Sequence, residues 1–164
     1  MKRIPQKAST LTEGYFELTK PRITSFILIS TALGYYLGSK GSINYFQLVL
    51  TLIGSGLVSS GSGVLNHYAE MESDKLMDRT RFRPLPSGLI KPLNALIFGV
   101  LLIFFGVALL FVFINQLTSF LSLGTAFLYI FIYTPLKKIT WLNTSIGAIP
   151  GALPPLGGWV ASAG

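Results

Sequence analysis

The chain has 164 residues, of which 51% are hydrophobic and 12% charged, with a net charge of +7 and no cysteine; its mean hydropathy is +0.60. A soluble domain carries roughly 25% charged residues, so the deficit points to a membrane protein. The absence of cysteine excludes disulfides and thiolate metal sites. The positive charges fall between apolar runs rather than on one basic face, which argues against nucleic acid as a partner.

The polar N-terminus lacks the apolar core and small-residue cleavage site of a signal peptide. It reads as a retained segment with an interfacial helix from Leu11 to Leu18. Five apolar spans follow, at about 23–38, 43–66, 93–114, 117–135 and 142–163. Most approach the ~20 residues needed to cross a ~30 Å hydrocarbon layer. Continuous apolar runs, rather than alternating ones, exclude a β-barrel. The fold class expected is therefore all-α, an integral membrane helical bundle of about five transmembrane helices in one domain. Of the 13 basic residues, only Lys40 falls outside when the N-terminus is placed inside. All six acidic residues fall inside as well, so one face carries the ionisable chemistry.

The second span holds a small-residue face from Gly54 to Gly63, and the fifth holds another from Gly147 to Gly151. Both read as close helix packing. A polar island follows the second span: Asn66, Glu70 and Asp74. Residues four apart on a helix drift by only ~40° around its axis, so a helical continuation would line them on one face. Two carboxylates and an amide make a half-shell for Mg2+, which fills its remaining positions with water and phosphate. The alternative is a solvated helix end. Against it, ionisable groups beside the hydrocarbon boundary are costly and mark functional sites.

Downstream lie Lys75, Arg79, Arg81, Arg83 and the turn Pro84-Leu85-Pro86, within an inside motif loop spanning 67–91. Guanidinium groups there suit a diphosphate, and Lys137 and Lys138 lie on the same side to close the site. Anchoring to anionic lipid is the competing role for such charges. His67, the single histidine, reads as a haem-iron ligand, a base or a polar interfacial residue. Tyr133 reads as part of an aromatic belt or as a ring face for an allylic cation.

Four stretches carry a family resemblance. They are Leu18-Thr19-Lys20-Pro21-Arg22-Ile23-Thr24, the run from Leu65-Asn66-His67-Tyr68-Ala69-Glu70 through Asp74, Met77, Arg79-Thr80 and Arg83-Pro84-Leu85-Pro86, and Tyr133-Thr134-Pro135-Leu136-Lys137-Lys138 with Gly151-Ala152-Leu153-Pro154-Pro155-Leu156-Gly157-Gly158-Trp159. Together they resemble the haem O synthases (protoheme IX farnesyltransferases), a branch of the intramembrane UbiA-type prenyltransferases. The resemblance implies transfer of a farnesyl group from farnesyl diphosphate to the 2-vinyl group of haem B, giving haem O. Asn66, Glu70 and Asp74 would be the catalytic metal–diphosphate motif with Mg2+. Lys75, Arg79, Arg83, Lys137 and Lys138 would contact the diphosphate. The implied setting is a bacterial inner membrane, with the motif loop cytoplasmic, lipid and the two substrates as partners, and a haem A synthase beside it. Glu70 stands where the wider pattern has aspartate, and it still supplies a hard oxygen. The pattern also has a second acidic motif and about nine spans, so the chain reads as an N-terminal portion with little activity alone. The alternatives are a UbiA-type enzyme acting on an aromatic or quinone precursor, and a non-catalytic membrane half.

Overall fold

The computed structural model describes residues 10–137 and 143–163. Within them every regular element is helical: α1 (Leu11–Leu18), α2 (Pro21–Gly38), α3 (Tyr45–Lys75), α4 (Pro92–Phe113), α5 (Gln116–Phe127), a π-helical turn (Leu128–Tyr133), α6 (Thr134–Leu136) and α7 (Asn143–Ala163). Local chemistry sets the ends. Thr10 and Glu13 form a reciprocal capping box on α1. Asn44 caps α3 by accepting from the Gln47 N–H, and Asn115 caps α5 by accepting from the Thr118 N–H. Pro21 and Pro92 open α2 and α4, where a missing N–H costs nothing.

The helix at Leu11–Leu18 stands where the sequence places it. The second span differs most, because α3 runs on to Lys75 and converts the first nine residues of the expected loop into helix. Among the described residues three helical stretches are long and apolar enough to cross a membrane: Tyr45–Lys75, Pro92–Phe113 and Gln116–Leu136. α2 and α7, expected as the first and fifth spans, have 18 and 21 residues but are diluted by serine, threonine, glycine and proline. Phe104, Phe105, Val112 and Phe113 on α4 point outward, as a lipid-facing surface requires.

Two glycine-lined crossings hold the bundle. α3 and α4 run antiparallel with Gly61 against Gly99 and Gly54 against Gly106. A Cβ on Gly61 would lie 2.6 Å from the Gly99 carbonyl oxygen, and one on Gly106 2.7 Å from the Gly54 carbonyl oxygen. α2 meets α7 more closely still. A Cβ on Gly34 would overlap the Pro155 carbonyl, and one on Gly158 would overlap the Thr31 carbonyl. The glycine face of the second span therefore packs as expected. In the fifth, Gly147 packs on the Tyr133 ring, whereas Gly151 faces open space.

The connection from Leu76 to Lys91 folds back on the bundle. Leu85 and Ile90 join Leu18, Val64 and Ala95 in a buried apolar cluster, with Tyr15 and Phe98 packed at its edge. The Ile90 N–H donates to the Pro84 carbonyl at 3.1 Å, and Gly88 takes the positive φ of 76° that turns the chain. α1 and the motif connection are thus clamped together over the end of α3. Within this clamp Glu17 is half-buried, and desolvation raises its carboxyl above the usual 4.5, partly offset by attraction to Arg83. A raised carboxyl means that the folded chain binds more protons than the unfolded chain just above pH 4.5. Stability from this group is present below that pH and is lost as pH rises through the folded value. Glu17→Gln is therefore expected to raise the thermal midpoint at pH 7, with the gain shrinking toward pH 4.5. A melting series in detergent over that range measures it.

Candidate functional site

The extension of α3 to Lys75 makes the four-residue spacing count. Ser55, Ser59, Ser62, Asn66, Glu70 and Asp74 follow one another along a single face. Asn66, Glu70 and Asp74 are 2%, 7% and 5% exposed, so the polar row is buried rather than solvated. This removes the reading of a solvated helix end, in which these groups would project into water.

Each acceptor meets a cation from a different part of the chain. The Lys20 ammonium donates to Asn66 Oδ1. Lys137 Nζ donates to Glu70 Oε1 at 3.2 Å, and Arg83 Nη1 donates to Asp74 Oδ2 at 2.7 Å. Asn66 Nδ2 in turn donates to Thr134 Oγ1 at 3.0 Å. The Thr80 hydroxyl donates to the Asp74 carbonyl at 3.0 Å, which fixes the start of the connection that delivers Arg83. Burying charge without a partner is expensive, and here each carboxylate is held by one cation.

Lys20 was not expected among the site residues; its charge reads from the sequence as a membrane-edge anchor. Its backbone is left-handed, with φ 51°, a conformation a non-glycine residue adopts at a cost. It stands at the end of α1, just before Pro21, and its side chain turns inward to Asn66. Burial lowers its ammonium from the usual 10.5 to about 8, with Glu70 attracting and Arg83 repelling the charge. The signal available beforehand was its place in the Thr19-Lys20-Pro21-Arg22 stretch, but not its direction.

Other expected residues are not brought to the row. Lys75 pairs with Glu72 at 2.7 Å on the surface, with side chains 44% and 75% exposed. Arg79 is exposed, and Arg81 reaches Asp78 at 3.4 Å while its guanidinium lies 4.8 Å above the Phe82 ring. Lys138 lies outside the described residues. His67 is buried, with no hydrogen-bond partner at Nδ1. It shares its side of α3 with Val64 and Met71, which pack into the apolar cluster, and it does not line the cavity described next.

A cavity of about 570 Å³ opens immediately beyond the row, between α2, α3, α5 and α7. Lys20 stands at its polar end, and Ser62 and Ser59 carry the α3 face into it. Its remaining wall is mainly apolar, with Ile23, Ile27, Val58 and Leu153. Tyr129 and Tyr133 also line it, their rings stacked at 5.5 Å and 18°. The site therefore couples a charged rim to a hydrocarbon-lined chamber, the shape an amphiphile with an anionic head requires.

Among the described residues no group of three or more His, Cys, Asp or Glu can hold a metal alone. Two carboxylates and one amide oxygen, with three cations in attendance, fit a magnesium ion that arrives with phosphate oxygens to complete its shell. They do not fit a resident metal held by protein alone.

A family model described as "UbiA prenyltransferase family" matches residues 27–164. Protoheme IX farnesyltransferase of Solibacter usitatus is 45% identical over 159 residues, covering 92% of this chain and 54% of the relative. The proteins of that name from Aquifex aeolicus and Cytophaga hutchinsonii are 43% and 42% identical, covering 97% and 93% of this chain and 55% and 53% of their own lengths. The chain thus spans about half the length of these curated relatives. The structure of a UbiA homolog from Archaeoglobus fulgidus bound to DMAPP and Mg2+ superposes with a TM-score of 0.80 at 19% identity, over 92% of this chain and 55% of that one. A digeranylgeranylglyceryl phosphate synthase structure superposes with a TM-score of 0.70 at 24% identity, over 87% and 53%. These two likenesses carry the fold.

Proposed function

This chain belongs to the UbiA prenyltransferase family and is an integral membrane protein, and on that premise we propose that it serves transfer of a farnesyl group from farnesyl diphosphate to the 2-vinyl group of haem B, giving haem O. One observation carries the reading: a buried row of Asn66, Glu70 and Asp74, each faced by a cation, at the mouth of an apolar chamber. The name shared by the curated relatives supports farnesyl and haem B as the substrates.

The chemistry divides between rim and chamber. Magnesium, when bound with the diphosphate, neutralises the charge that builds on the leaving group. Asn66, Glu70 and Asp74 would hold it through their oxygens. Lys20, Arg83 and Lys137 then exchange their present acceptors for phosphate oxygens and stabilise the departing diphosphate. The farnesyl chain lies in the chamber, whose apolar wall excludes the water that would quench an allylic cation. The stacked rings of Tyr129 and Tyr133 present π faces to that cation. The vinyl group of haem B attacks the allylic carbon as the C–O bond to diphosphate breaks, and water adds to the resulting cation with loss of a proton. A haem A synthase is the natural consumer of the product. The excess of basic residues on the segments flanking this rim favours a cytoplasmic rim in a bacterial inner membrane.

The test supplies haem B and farnesyl diphosphate to membranes carrying this chain together with the C-terminal half of a curated relative. Haem O is the expected product, and it should require Mg2+. Prenylated 4-hydroxybenzoate in place of haem O would overturn the choice of acceptor. Transfer undiminished by chelation would overturn the role of the acidic row.

A further inference from the structure

Thr134 belongs to no expected site residue, is 2% exposed and does not line the chamber. It nevertheless ties the backbone of the π-helical turn to the acidic row. Pro135 has no N–H, and its ring crowds the carbonyl four residues earlier. The helix relieves this by widening into the π-helical turn Leu128–Tyr133. The Thr134 N–H then reaches back five residues to the Tyr129 carbonyl, and the Thr134 hydroxyl donates to the same oxygen at 2.7 Å.

A hydroxyl has one hydrogen to give. With that hydrogen committed to the Tyr129 carbonyl, Thr134 Oγ1 is only an acceptor toward Asn66. It accepts from Asn66 Nδ2 at 3.0 Å, and the amide oxygen is thereby turned the other way, toward Lys20. An amide free to flip would present its NH2 group to a cation in half of its arrangements, a donor where an acceptor is needed.

We propose that Thr134 is a positioning residue: its hydroxyl, held by the π-helical turn, fixes the Asn66 amide so that its oxygen faces the cations and the incoming magnesium–diphosphate. The part concerning the ligand rests on the function proposed above; the orientation of the amide does not.

The experiment uses the 164-residue chain in lipid nanodiscs, labelled with 15N-asparagine, with Asn66→Ala assigning the side-chain NH2 signal. Thr134→Val keeps the shape and removes the hydroxyl, and Thr134→Ser keeps the hydroxyl. The wild type and Thr134→Ser should show slow NH2 proton exchange, and Thr134→Val exchange faster by roughly tenfold, the scale of one buried hydrogen bond. The Mg2+ midpoint for uptake of farnesyl diphosphate should rise about tenfold in Thr134→Val and recover in Thr134→Ser. Adding Thr134→Val to Asn66→Ala should cost nothing further, since both act through one group. Equal exchange in the wild type and Thr134→Val, or full additivity of the two substitutions, would overturn the proposal. If the wild-type chain took up no diphosphate, the proposed function would fail, and the exchange rates would still decide whether Thr134 holds the amide.

Discussion

Replacing Asp74 with alanine is expected to lower Mg2+-dependent farnesyl transfer by at least ~10²-fold, the scale of losing one preorganised electrostatic contact to a leaving group. Two effects combine. A carboxylate that would hold magnesium on the proposed function is removed, and Arg83, now held at 2.7 Å by Asp74 Oδ2, loses the partner that places it. Asp74→Asn separates them, because an amide keeps an oxygen near Arg83 but removes the charge. It should also fall, though less than alanine. Glu72→Ala, on the exposed side of the same turn and paired among the described residues with Lys75, should leave the rate within about twofold. Haem O formation at matched protein levels, in membranes that also carry the C-terminal half of a curated relative, measures all three. Equal rates for Asp74→Ala and Glu72→Ala would remove the row from the chemistry.

The largest effect on the fold is expected at the α2–α7 crossing. Gly158→Val places a branched Cβ that would overlap the Thr31 carbonyl oxygen and lie 2.9 Å from the Tyr35 backbone nitrogen. Backbone cannot rotate aside as a side-chain tip can, so the helices must separate. Overpacking in a close-packed interior costs about 1–3 kcal/mol and more when backbone is the obstacle. Gly34→Val should behave alike, since its Cβ would overlap the Pro155 carbonyl. Gly151→Val, facing open space, is the control and should melt close to the wild type. Thermal unfolding followed by tryptophan fluorescence suits the comparison, because Trp159 adjoins the crossing. A melt of Gly158→Val indistinguishable from that of Gly151→Val would show that the two helices do not meet this closely.

Where the sequence was legible, the physics was local. The short helix Leu11–Leu18 stands where the sequence places it, and the polar spacing of Asn66, Glu70 and Asp74 needs only a continued helix to become one face. Arg83 was legible because the proline-rich turn limits where it can go. Lys137 followed from lying on the same side of the bundle, and it does meet Glu70. What stayed hidden depends on contacts between distant segments. The inward turn of Lys20 rests on a left-handed backbone and a partner 46 residues away. Lys75 and Arg79 carry the same charge as Arg83 and sit nearer to Asp74 in sequence, yet helix geometry and the surface pair with Glu72 leave them outside the row. Charge type and sequence distance cannot make that distinction. The role of Thr134 was out of reach because a π-helical turn changes which residues face inward, and only Pro135 hinted at it.

On the proposed function the acidic row, now satisfied by Lys20, Arg83 and Lys137, would hold magnesium and release those cations to the diphosphate that arrives with it. Phosphorus NMR of farnesyl diphosphate titrated with this chain in nanodiscs, with and without Mg2+, tests this exchange directly. Saturable, Mg2+-dependent broadening and shift of both phosphorus signals are expected, abolished when Glu70→Gln and Asp74→Asn are combined. Binding that is equally tight with chelator present, or unchanged in the doubly substituted chain, would contradict it.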